Sequence, residues 1–82
     1  MPRFSIYFVD EGGTATEPEL VDFPELELAR LHAMHAAGGL VAQLMSADER
    51  AIRFKLYIDA AGGERLVTLP VALHVGTELR VV

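Results

Sequence analysis

The chain contains no cysteine, which excludes disulfide staples, thiolate metal sites and a thiol nucleophile. Positive charge is scarce as well: seven Lys and Arg stand against twelve Asp and Glu, for a net charge of −5. An acidic balance disfavours sequence-independent nucleic-acid binding, which relies on neutralising phosphates. Long hydrophobic runs are missing too. The opening apolar stretch, Phe4 to Val9, is cut off by Asp10 and Glu11, too soon for a signal-peptide core or a membrane span. The expectation is a soluble cytoplasmic protein with no membrane attachment. Neither Gly-Gly pair of the turns is followed by Gly-Lys-Ser/Thr, and Ser5, Ser46 and the threonines lack a Gly-x-Ser-x-Gly setting. No phosphate cradle or nucleophile elbow is therefore legible, and neither an enzymatic activity nor a cofactor is expected.

What is present is apolar. Hydrophobic residues make up 51% of the 82 residues, which argues for a folded chain and, at this length, for one domain spanning residues 1–82. A domain this small hides only about 60% of the surface its open chain exposes. With disulfides excluded, self-association is the favoured additional source of burial.

The order of residues predicts strands at both ends. Phe4, Ile6 and Phe8 alternate with Ser5, Tyr7 and Val9, and Phe54, Leu56 and Ile58 alternate with Arg53, Lys55, Tyr57 and Asp59. Period-two alternation marks a half-buried strand. Each run ends in a Gly-Gly pair, which leaves open a weak internal duplication or two instances of a common strand-and-turn unit. Residues 53–71 read as a β-hairpin, with Pro70 restricted to a strand end or an edge because it cannot donate to a ladder. Glu19-Leu20-Val21 is expected to pair back on residues 4–9, residues 77–82 to add a further strand, and residues 74–82 to form either that extra strand or a C-terminal extension.

One helix lies between the strands. Asp22 is its expected cap, with Glu25 three residues on and Pro24 in the first turn. At about 100° per residue, Leu26, Ala29, Ala33, Ala36, Ala37, Leu40 and Leu44 share the face that docks on the sheet. Together with Phe4, Ile6, Phe8, Phe54, Leu56 and Ile58, the leucines of that face form the predicted core. Gly38-Gly39 costs roughly 1 kcal/mol per residue relative to Ala, so a kink or an early end is expected there. Leu31, Met34, Val41 and Met45 widen the apolar sector beyond what one sheet contact needs. Either the tail or the loop before the helix covers this flank, or it is a homodimer seam. The resulting fold class is α+β: an antiparallel sheet of three to five strands with one helix on one face.

The segments Met1-Pro2-Arg3-Phe4, Asp10-x-Gly12-Gly13, Pro24-Glu25-Leu26-Glu27-x-Ala29-Arg30-x-x-Ala33, Ile58-Asp59, Gly62-Gly63 and Leu66-x-x-Leu69-Pro70 carry a resemblance. Together they are similar to a domain-of-unknown-function family of small rhizobial and related alphaproteobacterial proteins, over residues 1 to about 73. In this chain His32 replaces the acidic residue usual in that helix, and residues 74–82 run past the usual end. The resemblance implies the helix and strand pattern and a bacterial cytoplasmic setting, and no activity.

Three groups of residues could do chemistry. His32 and His35 are one helical turn apart, a spacing at which two imidazoles can share a metal, yet two ligands do not make a site. They read as solvated histidines, and His74 would join them only through a tertiary contact. Arg3, Ser5 and Tyr7 beside Arg53, Lys55 and Tyr57 would form an open sheet face with stacked tyrosines and flanking cations, the composition of a platform for unpaired bases. The RNA-recognition signatures are absent and the charge opposes that reading. Third, residues 10–27 hold seven acids and no base, which fits a solvated loop and a helix start, or else a docking site for a basic partner or a loosely held divalent cation. Arg30 is expected to pair with Glu27 or Asp22.

Taken together these features predict a non-enzymatic binding or oligomerising accessory module, a homodimer with a possible protein partner. The alternative is single-stranded nucleic-acid or antitoxin-like regulatory binding through the sheet face, the latter by fold analogy alone.

Overall fold

A computed structural model of the protein describes residues 2–46 and 51–74, without the side chains of residues 45, 46 and 74. The strand expected at 77–82 lies outside these residues. Four strands and one helix follow in the order β1 (Arg3–Asp10), β2 (Glu19–Asp22), α1 (Leu26–Ser46), β3 (Ala51–Ala60) and β4 (Arg65–His74). They form a single antiparallel sheet in the order β2-β1-β3-β4, the α+β architecture that the alternation predicts. Both β2 and β3 run antiparallel to β1. They are therefore parallel to each other, and α1 carries the chain over β1 between them.

Two turns of the same build close the β1 and β3 ends. The Gly13 N–H donates to the Asp10 carbonyl at 3.0 Å and the Gly63 N–H to that of Ala60 at 2.8 Å. Gly13 and Gly63 have φ of 87° and 96°, a region open to glycine at no steric cost. A type I turn followed by a left-handed residue is a common hairpin closure, which explains why the second glycine of each pair is needed. Past the second turn the register slips between Ile58 and Asp59: Ile58 faces Val67, but Asp59 faces Arg65. This one-residue bulge turns Arg65 onto the side of the sheet that carries Asp59, while Leu66 packs on the core. Re-aiming a side chain in this way is what bulges do.

The helix lies on the face built by Phe4, Ile6, Ile52, Phe54, Leu56 and Ile58, all buried. Its contact residues are Ala29, Ala33 and Ala37, buried as well, and their short side chains bring the helix axis close to the sheet. Two apolar clusters result, one around Ala29, Ala33, Leu56 and Ile58, the other around Ala37, Ile52 and Phe54. Phe8 packs against both and meets Phe54 edge-on, ring centroids 5.4 Å apart. No polar side chain is buried among the described residues.

Several expectations need correction. Asp22 does not cap the helix, because it ends β2 opposite Arg3 and its carboxylate accepts bonds from the Arg3 guanidinium at 3.0 and 3.3 Å. The helix begins later instead, with the Glu25 carbonyl accepting from the N–H groups of Leu28 and Ala29. Gly38-Gly39 does not end it, since α1 continues to Ser46. Both glycines are exposed, and the packed stretches on either side outweigh their propensity cost. Phe8, Leu26, Leu40 and Leu44 line the rim of the core half-buried, and Val41 joins them there against the second cluster.

Candidate functional site

Since side chains alternate along a strand, the residues between the core positions emerge on the opposite side of the sheet. On β1 these are Arg3, Ser5, Tyr7 and Val9, on β3 Arg53, Lys55, Tyr57 and Asp59, and the register sets Tyr7 directly across from Tyr57. Neighbouring positions on β2 and β4 are Leu20, Asp22, Thr68, Pro70 and Ala72. No element covers this face among the described residues. It carries four of their five Lys and Arg, the exception being Arg30 on the helix.

A ridge crosses the middle of the open face. The Tyr7 and Tyr57 rings lie 5.4 Å apart at 38°, and the Arg65 guanidinium sits over Tyr57, 4.0 Å from its centroid. Arg65 also donates to Asp59 at 3.0 Å and to the Tyr7 hydroxyl oxygen, while the Tyr7 hydroxyl donates to Asp59 at 3.1 Å. The Arg65 bond holds the Asp59 carboxyl below the usual carboxylate range, assisted by that from Tyr7. Burial, then the bond to Asp59, pushes the Tyr7 phenol up. The polar ends of Tyr7, Asp59 and Arg65 are matched to one another.

The ridge divides the face into two shallow depressions. One, of about 380 Å³, is lined by Arg3, Ser5, Leu20 and Asp59 among others. Its charges are spent, Arg3 on Asp22 and Asp59 on Arg65. The other, of about 420 Å³, lies at the opposite end, floored by Val9, Tyr57, Pro70 and Ala72 and edged by Arg53 and Lys55 on β3 and by Asp10 and Glu11 at the first turn. Neither Arg53 nor Lys55 forms an ion pair with a described residue.

The histidines sit elsewhere. His32 Nε2 lies 3.2 Å from both carboxylate oxygens of Glu19 and its ring lies 5.6 Å from that of Phe23, so it ties α1 to β2. His35 is exposed, and His74 lies outside the described side chains. Among the described residues no three metal-capable side chains come together. Much of the acidic stretch is engaged locally: Glu19 with His32, Asp22 with Arg3, Glu27 with Arg30 at 3.3 Å, and Asp10 with the Thr14 N–H at 2.9 Å.

On the helix, Leu28, Leu31 and Met34 are exposed, by 38%, 54% and 47%. Met45, the remaining flank residue, lies outside the described side chains. No described helix is long and apolar enough to cross a membrane.

Sequence reasoning had placed Arg3, Tyr7, Arg53, Lys55 and Tyr57 as neighbours but missed Arg65 and Asp59, the groups that lock the two tyrosines. Asp59 was visible by its parity with Tyr57. Arg65 was not, because only the bulge brings it across.

Residues 3–72 match the family described as a domain of unknown function, DUF6894. No curated protein and no solved structure matches the chain.

Proposed function

Because the chain belongs to the DUF6894 family, whose description carries no activity, we propose its function from its surfaces: it is a non-enzymatic binding module that works through the open face of its sheet. The observation that carries this reading is the contrast between the two ends of that face. Cations on one side of the ridge are neutralised by neighbouring carboxylates, while Arg53 and Lys55 on the other side stand beside an apolar floor without an ion-pair partner among the described residues. Desolvating an unpaired cation is costly unless an opposite charge meets it, so a ligand that supplies one gains at these positions. The Tyr7, Asp59 and Arg65 bonds fix the ridge in place and leave none of those groups free for proton transfer. Arg65 over Tyr57 also occupies a surface on which an unpaired base would stack, which favours a small ligand beside the ridge over a single strand laid across it.

Amide shifts of the labelled protein, recorded against a library of small charged and aromatic compounds, test this. Responses should cluster at Ser5, Tyr7, Val9, Arg53, Lys55, Tyr57, Thr68 and Ala72. Responses confined to Leu28, Leu31 and Met34, or none from any compound, would refute the reading.

Exposure of Leu28, Leu31 and Met34 on successive turns of α1 supports a second reading, association of two copies through the helices. A dimer would remove this apolar surface from water and add stability by mass action. Sedimentation from micromolar to millimolar concentration should show a dimer that Leu31→Glu with Met34→Glu disperses. A wild-type chain that stays monomeric throughout ends this reading.

A further inference from the structure

Resting on the open-face reading, we infer that the depression between Tyr57 and the first turn binds a small planar anion, an aromatic monocarboxylate. Among the strand residues of the open face, the cations Arg3, Arg53, Lys55 and Arg65 outnumber the carboxylates Asp22 and Asp59, in a chain whose total charge is −5. Asp22 is bonded to Arg3 and Asp59 to Arg65, so the surplus is Arg53 and Lys55, both at one end. The registers explain why these two stay without an ion pair among the described residues. Lys55 stands between Val9 on β1 and Pro70 on β4, and Arg53 beside Ala72, so their cross-strand neighbours are apolar. Asp10 also borders the depression, but it is the Cα partner of buried Phe54. Alternation therefore sends its carboxylate to the helix side of the sheet, away from the two cations.

Shape supplies the rest of the ligand. The volume of about 420 Å³ lies within the range that holds small molecules, roughly 300–1,000 Å³. Two residues apart on one strand, Arg53 and Lys55 stand about 7 Å apart along it, a spacing that one carboxylate bridges with an oxygen toward each. Around them Val9, Pro70 and Ala72 are short, while the Tyr57 ring walls the ridge end. Arg65 braces that ring, its guanidinium 4.0 Å from the centroid. A flat ring laid over the short side chains would leave water and meet the tyrosine. A bare anion gains only from the cations, and a neutral ring only from the floor. A phosphate would hold its further oxygens over a floor whose side chains offer no donor.

Calorimetric and amide-shift titrations of the full chain with 2-naphthoate, 2-naphthamide and acetate test the assignment, since the amide keeps the ring without the charge and acetate the charge without the ring. 2-Naphthoate should bind with millimolar affinity or better and shift Val9, Lys55, Tyr57 and Ala72. The amide and acetate should each bind about tenfold more weakly, the equivalent of 1.4 kcal/mol, and added salt should weaken 2-naphthoate more than the amide. Arg53→Ala with Lys55→Ala should erase the preference for 2-naphthoate over the amide, with thermal melts to check folding; Lys55→Gln alone should lower the same ratio. Glu11→Gln, at the rim of the depression, should keep or raise it. The inference is overturned by no binding of 2-naphthoate, by equal binding of the amide or acetate, or by a preference that survives loss of both cations. A tenfold preference for inorganic phosphate or a single-stranded oligonucleotide overturns it as well. If 2-naphthoate fails while other compounds shift residues of the open face, the open-face reading stands and this assignment falls; if no compound shifts that face, both fall.

Discussion

The two sides of β3 show how one segment serves two purposes. Ile52, Phe54, Leu56 and Ile58 look toward the helix and are buried, while Arg53, Lys55, Tyr57 and Asp59 look away and keep contact with water. The covered side is defined by volume, since three alanines set how near the helix comes and each aliphatic chain fills what remains. The open side is defined by pairing, since what distinguishes its residues is which charges have found a partner. Substitutions on the covered side should therefore change stability, and those on the open side should change binding.

The largest expected effect is on the covered side. Leu56→Ala should cost about 3 kcal/mol, because the lost methyl groups leave a cavity that a close-fitted sheet cannot fill. Denaturant titration measures it, and a loss below about 1 kcal/mol would mean that this side is not the true interior. Ala33→Leu should cost about 2 kcal/mol by forcing the helix off the sheet; a neutral result would show that the alanine contact is loose. On the open side, Tyr7→Phe removes the hydroxyl that joins Asp59 to Arg65 and should cost about 1 kcal/mol.

Acidity probes the same ridge. The folded pKa of Asp59 lies below that of the unfolded chain, so its contribution is complete above about pH 4 and fades as the pH falls through the folded value. Asp59→Asn should therefore flatten the stability profile below about pH 4, and an unchanged acid limb would show that the Arg65 bond does not persist in solution. The smallest effect belongs to the unpaired cations: Arg53→Ala with Lys55→Ala should change stability by less than about 0.5 kcal/mol, as for surface positions away from structural features. A larger loss would mean that they hold the fold rather than a ligand.

Much of the fold could be read in advance because alternation and helical spacing are local. Phe4, Ile6 and Phe8 on one strand and Phe54, Leu56 and Ile58 on another needed only parity, and the alanine spacing from Ala29 to Ala37 needed only the helical period. The misses share a cause: each depends on a partner distant in the chain. Asp22 has the chemistry of a cap, yet Arg3, 19 residues away, claims its carboxylate. Gly38-Gly39 look like a break if the flanking packing is ignored. Arg65 reaches Asp59 only through a register slip that no periodicity announces. The candidate depression was half legible, in that Arg53, Lys55 and Tyr57 were expected side by side, but Val9, Pro70 and Ala72 joined them only through the registers with β1 and β4.

Among the described residues Pro70 stands in the outermost strand, opposite Lys55. Lacking an N–H, it cannot form a reciprocal hydrogen-bonded pair there, so its ring nitrogen faces outward along the free margin of the sheet. An incoming extended peptide would find a missing rung midway along β4. At the other margin β2 is only four residues long, a small template for templated growth. Both borders of the described sheet thus carry features that discourage edge-to-edge pairing.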